Sequence, residues 1–167
     1  MLVERCRREH GFLPLLSPDG RRAHLKIPKC GSRTVQYVLH RRDGWSVYTD
    51  PLETDLQWTA LVRHPIDRWL SGIAQCYDES AIKLDMDQAV TDMVHDIHTT
   101  PQASWLKGFD PMLFKLENIE KLWHHLGIVA RAHEQRRRWA TKFLTADQSA
   151  KIMDHYADDM ALYEEAK

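Results

Sequence analysis

Apolar positions along the chain fall into short blocks whose period switches between that of a strand and that of a helix. The apolar run at 13–16 ends at Ser17-Pro-Asp-Gly20, a turn signature, so the pattern predicts a hairpin with the segment that follows. Residues 22–27 alternate polar and apolar and read as a strand running into Pro28. Over 33–41, Val35, Val38 and Leu39 recur at helical spacing. A second strand is expected at 45–48, between Gly44 and Asp50-Pro51. A third is expected at 58–62, where the apolar run suits a buried parallel strand. Trp69, Leu70 and Ile73 share one side of a helix over 66–77. Met86, Ala89, Val90, Met93, Val94 and Ile97 form the stripe of another over 85–98. Residues 112–116 read as a short strand, and 118–126 as a helix closed by Gly127. Thr145-Ala-Asp-Gln148 has capping-box spacing for a helix through Tyr156, and the final third is helix-friendly to its end. Strands alternating with helices predict an α/β fold of three layers, with a short, mainly parallel sheet flanked by helices.

Composition narrows this picture. No linker or repeat divides the 167 residues, so one domain over 1–167 is expected. Lys plus Arg number 23 against 24 Asp plus Glu, a balance that argues against a general nucleic-acid binder. The apolar runs are too short to cross a bilayer, and residues 1–10 are too charged for a signal peptide. Cys6, Cys30 and Cys76 show neither metal-ligand spacing nor an even count. A reduced, cytoplasmic protein without membrane or nucleic-acid partners and without a metal is the expectation.

Two strand-to-helix loops carry anion chemistry. In Lys26-Ile-Pro-Lys-Cys-Gly-Ser-Arg-Thr34, a glycine turn and a helix N-terminus aim amides at one point. Lys29 adds a full charge there, and Ser32 and Thr34 add hydroxyls. This is not a Walker A loop, because the lysine precedes the glycine. An ordinary βα turn with a solvated lysine is the plainer alternative. In Leu61-Val-Arg-His-Pro-Ile-Asp-Arg-Trp-Leu-Ser71, Arg63 ends a buried strand, where a guanidinium without an anion is costly. Ser71 lies eight residues on, able to face the same ligand. A strand-end salt bridge is the alternative for Arg63, and for Arg68 the alternative is pairing with Asp67 or Asp78 as plain surface charge. Both loops fall at the strands' C-terminal edge, where open α/β sheets bind ligands.

These residues carry a resemblance. Pro28-Lys-Cys-Gly-Ser32 resembles the 5′-phosphosulfate loop of sulfotransferases that use 3′-phosphoadenosine 5′-phosphosulfate (PAPS). Arg63-x-Pro-x-x-Arg-x-x-Ser71 resembles their 3′-phosphate motif. His98-Thr-Thr-Pro-Gln-Ala-Ser-Trp-Leu106, Lys115-Leu-Glu-Asn-Ile119 and Tyr156-Ala-Asp-Asp-Met-Ala-Leu-Tyr163 are similar to stretches of the carbohydrate (Golgi-type and bacterial) branch, in the same order. Arg33 departs from the usual small residue, and about thirty residues between the phosphate loops leave a minimal acceptor region.

The resemblance implies a P-loop-like fold and sulfuryl transfer from PAPS to a hydroxyl of a carbohydrate or similar polar acceptor. Lys29 would stabilise the leaving group, the loop Lys29, Cys30, Gly31, Ser32, Arg33 and Thr34 would hold the 5′ phosphate, and Arg63 with Ser71 the 3′ phosphate. A base must take the acceptor's proton. His98 is preferred because histidine accepts a proton near neutral pH, with Gln102 orienting the acceptor; Asp50, Glu53 or Asp55 is the alternative. A non-catalytic nucleotide-binding relative and a small kinase-like enzyme are the competing functions. Pairs such as His95 with His98, or His124 with His125, lack a third metal ligand, and Trp69, Trp105 and Trp123 are expected in the core.

Overall fold

The computed structural model describes residues 9, 11–49, 55–80, 85–130 and 144–167. Five strands form one sheet: β1 (Leu15–Leu16), β2 (Arg22–Leu25), β3 (Ser46–Val47), β4 (Gln57–Val62) and β5 (Met112–Lys115), in the order β3-β1-β2-β4-β5. β2 pairs with β4, and β4 with β5, in parallel; β1 pairs antiparallel with both β2 and β3. The sheet is therefore mixed rather than mainly parallel. The cause is the turn at 17–20, where Ser17 N donates to Arg22 O at 2.8 Å. A turn that short leaves no room for a crossover, so β1 must return antiparallel.

Helices flank the sheet. α1 (Ser32–Val35) continues as a π-helical stretch (Gln36–Arg42); α2 (Pro65–Ser80), α3 (Met86–Asp92), α4 (Gln102–Leu106) and α5 (Ile119–Leu126) follow, the last after a 3-10 turn (Leu116–Asn118). α6 (Ala146–His155) and α7 (Ala157–Glu165) make the C-terminal part helical. The capping box at Thr145 forms as its sequence predicts, with Gln148 N on the threonine hydroxyl and the Gln148 side chain on Thr145 N. Gly127 closes α5 in the left-handed conformation, φ 69°.

The alternation over 22–27 does not mark a solvent face. His24 and Lys26 are buried along with Ala23 and Leu25, because the sheet is covered on both sides. The His24 ring lies 3.0 Å from the Thr59 hydroxyl, which itself donates to Ala23 O, and Lys26 Nζ donates to Gly11 O at 2.7 Å. The expected helix over 85–98 stops at Asp92. Met93 turns to φ 53°, its carbonyl accepting from the Trp69 indole at 2.8 Å and the Tyr156 hydroxyl at 3.3 Å. Tertiary donors thus replace the helical bond, and Val94 leaves the apolar stripe for solvent.

One apolar cluster lies on the sheet and takes in Trp105 and Trp123; a second joins Trp69 and Ile73 of α2 to Val90 of α3 and to Ile152 and Tyr156. All three tryptophans are core residues as expected. At the far edge, Lys167 pairs with β5 through Lys167 N to Leu113 O and Lys115 N to Lys167 O. Among the described residues no helix is long and apolar enough to cross a membrane.

Candidate functional site

Parallel pairing of β2 with β4 sets their C-terminal ends side by side, with Leu25 opposite Ala60. The loops that follow, 26–31 and 63–65, therefore emerge at one edge of the sheet. Lys29 adopts φ 66° and Gly31 φ 74°, so the first loop doubles back on itself before α1. A left-handed lysine carries backbone strain, the kind that accumulates at working sites. Gly31 has a second constraint: a Cβ there would meet Leu116 Cδ1 at 2.6 Å, so the turn after β5 closes directly over the loop.

The polar atoms of these loops are of the kinds an anion needs. Cys30 N is used within the turn, on Ile27 O at 3.2 Å, but the amides of Gly31, Ser32, Arg33 and Thr34 find no backbone acceptor among the described residues. The hydroxyls of Ser32 and Thr34 are half-buried and Arg33 is exposed. Lys29 Nζ donates to Gln75 Oε1 of α2. Arg63 is half-buried, and its guanidinium has no hydrogen bond or ion pair among the described residues. The hydroxyl of Ser71, half-buried on the same helix as Gln75, likewise has no hydrogen-bond partner there.

Beneath these atoms lies a buried polar clamp that the sequence did not assign. Gln102, fully buried, accepts from Arg63 N at 2.9 Å and from Cys30 Sγ at 3.0 Å, and donates to Arg63 O at 2.9 Å. One side-chain amide thereby ties the two anion loops together. This corrects the expectation that Gln102 orients an acceptor, since no part of it reaches the surface. Asp159, also fully buried, accepts from Gln102 N at 2.8 Å and Ala103 N at 2.9 Å, capping α4 from α7. Burial pushes the Asp159 carboxyl up, against the pull of those amides and of Arg68. Arg68 is buried as well, donating to Pro28 O at 3.1 Å and Thr100 O at 2.6 Å. It is a strut between loops, which rules out the alternative of a plain surface charge. Tyr156 completes the clamp, its hydroxyl 2.6 Å from Thr99 O. Burial pushes the Cys30 thiol up to about 11, so Cys30 shapes the loop from within and is no nucleophile.

His98 sits on the turn after α3, packed against α2 at Gly72, where an added Cβ would lie 2.7 Å from His98 O. Its Nδ1 is 2.7 Å from Asp96 Oδ2, a carboxylate holding an imidazole by one nitrogen. Burial alone would raise the Asp96 carboxyl, but bonds from His98 and Cys76 outweigh it and bring it down to about 2. Cys76 is next to Gln75 on α2, so the Lys29–Gln75 contact and the Cys76–Asp96–His98 cluster share one stretch of helix. Asp55 is exposed, while Asp50 and Glu53 lie outside the described residues. Of the other histidines, His95 turns its ring to Ala89 O at 3.0 Å, and His124 and His125 are exposed on α5.

Comparison with known protein families, with curated proteins and with solved structures finds no match in any of the three. The site must be judged on its own chemistry.

Proposed function

We propose that this chain is a PAPS-dependent sulfotransferase of P-loop-like fold, acting on a hydroxyl of a carbohydrate or similar polar acceptor. The observation that carries the reading is Arg63: a half-buried guanidinium at the end of a buried strand, without an ion pair among the described residues, beside a loop with four unbonded amides. A cation in that position suits a multiply charged anion, and two anion-suited loops emerging side by side from the paired strands β2 and β4 suit a nucleoside bisphosphate. The acceptor class rests on the motif resemblance.

In this scheme the amides of Gly31 to Thr34, with the Ser32 and Thr34 hydroxyls, hold the 5′ phosphate. Arg63 and Ser71 hold the 3′ phosphate. Sulfuryl transfer is in-line and loose, like phosphoryl transfer, so positioning and charge stabilisation dominate. The bond from sulfur to the phosphate oxygen breaks as that to the acceptor oxygen forms. Lys29, released from Gln75, neutralises the charge growing on the departing bisphosphate. His98 takes the acceptor's proton, oriented by Asp96 in the way a general base is held by a third group. The products are a sulfate ester and 3′,5′-bisphosphoadenosine, and no step requires a metal.

The test is a transfer assay with labelled PAPS and a panel of sugar and polyol acceptors. Label appearing in an acceptor, in step with bisphosphate release, is the expected result. Release of bisphosphate into water alone, or none at all, would leave a nucleotide-binding protein without this activity.

A further inference from the structure

Cys76, Asp96 and His98 present a thiol, a carboxylate and an imidazole whose ligand atoms all lie within 4.8 Å of one another. They come from two elements, α2 and the turn after α3, twenty residues apart and with a single cysteine among them, so cysteine spacing gave no metal signal. We propose that these three side chains form a zinc site, with water as the fourth ligand.

The donor set makes the choice of ion. Thiolate and imidazole are too soft for Mg²⁺ or Ca²⁺, whereas one sulfur, one nitrogen and one carboxylate oxygen suit Zn²⁺. Bonds of about 2.3 Å to sulfur and about 2.0 Å to nitrogen and oxygen put ligand atoms roughly 3.3–3.7 Å apart in a tetrahedron. To reach that geometry the 2.7 Å contact of His98 Nδ1 with Asp96 Oδ2 opens and the rest of the spread, within 4.8 Å, closes. The His98 side chain is 14% exposed and that of Asp96 36%, so one face stays open for water. Three protein ligands with an open fourth position are the arrangement of accessible rather than purely structural zinc. On binding, the Cys76 thiol gives its proton to solvent and its sulfur bonds the metal, with no change of oxidation state. The rigid backing is already built: Asp96 accepts from His98 N at 2.7 Å, and Gly72 lets α2 approach the 98–99 backbone closely.

Occupancy ties up the His98 imidazole beside Cys76, the α2 neighbour of Gln75, so zinc would silence transfer while leaving donor affinity intact. That consequence rests on the sulfuryl-transfer reading; the binding itself does not.

The experiment titrates Zn²⁺ by calorimetry and Co²⁺ by absorption into the full, reduced, chelator-stripped chain. One equivalent of each should bind at micromolar concentration, cobalt giving a thiolate charge-transfer band in the near ultraviolet. Cys76→Ser should abolish the band and weaken zinc at least about tenfold. His98→Ala should keep the band with weakened binding, and serves as the second reading if Cys76→Ser does not fold. No binding at micromolar metal, a band that survives Cys76→Ser, or zinc affinity unchanged in His98→Ala would each overturn the site. Bisphosphate titration of the same samples, which never touches these ligands, reports separately on the donor-binding reading.

Discussion

Lys29 holds a left-handed backbone, φ 66°, that its own side chain disfavours. The strain is worth about 1 kcal/mol or more, and glycine would relieve it. Lys29→Gly should therefore unfold no earlier than the wild type, while Lys29→Ala, which keeps the strain and loses the Gln75 contact, unfolds earlier. Both should lose on the order of 100-fold in transfer rate, the usual cost of removing an electrostatic stabiliser. Thermal melts beside a rate assay check this, and equal stability of the two variants would show that the loop is not strained. Arg63→Ala should weaken bisphosphate binding by about 2 to 4 kcal/mol, as for a truncated buried charge partner. Titration showing unchanged affinity would remove Arg63 from the site. Lys29, Arg63 and Ser71 were open to nomination from the sequence, because residue type and a place just after a strand or early in the following helix suffice for that. The structural roles of Gln102, Arg68 and Asp159 were not legible, since their bonds span 32 to 72 residues and no local pattern encodes them.

The element that decides the geometry is α2. It carries Ser71, proposed above as a 3′-phosphate ligand, brings Gln75 to Lys29, and at Gly72 admits the backbone of residues 98–99. Gly72→Ala places a methyl 2.7 Å from His98 O and 2.9 Å from Thr99 Cγ2, contacts that neither backbone nor packed side chain yields easily. The expected outcome is a loss of about 1 to 3 kcal/mol in stability. A larger proportional fall in turnover than in bisphosphate affinity should accompany it, because the His98 turn is displaced while the anion loops are not. Denaturant melts, kinetics and calorimetry on one preparation separate these effects; equal falls in both would mean that α2 as a whole had moved. Most helices were legible from their stripes and caps, and β4 from its apolar run. The end of α3 was not, because the donors that terminate it, Trp69 and Tyr156, belong to other elements. The antiparallel strand β1 could be foreseen from its turn, but its second pairing, with β3, depends on what covers the sheet.

For the molecule as a whole, the buried His24 sets a limit at low pH. Burial first, and the charge of Lys26 second, push its pKa down to about 3. The unfolded chain binds that proton near pH 6.5, so between these values unfolding takes up one more proton than folding allows. Stability should fall by about 1.4 kcal/mol for each pH unit below roughly 6.5, to the extent that no other group compensates. Asp159, raised by burial, works in the opposite direction at lower pH. His24→Gln, able to donate to Thr59 without titrating, should flatten the slope between pH 5 and 6.5 in urea melts; an unchanged slope would assign the acid sensitivity elsewhere. The central claim is that the two loops at one sheet edge hold a nucleoside bisphosphate without a metal. Calorimetric titration of the full chain with 3′,5′-bisphosphoadenosine in the presence of a chelator, set against ATP with Mg²⁺, tests it most directly. Saturable binding of the bisphosphate that survives chelation and exceeds that of Mg-ATP is the predicted result; no binding, or a preference for Mg-ATP, would contradict it.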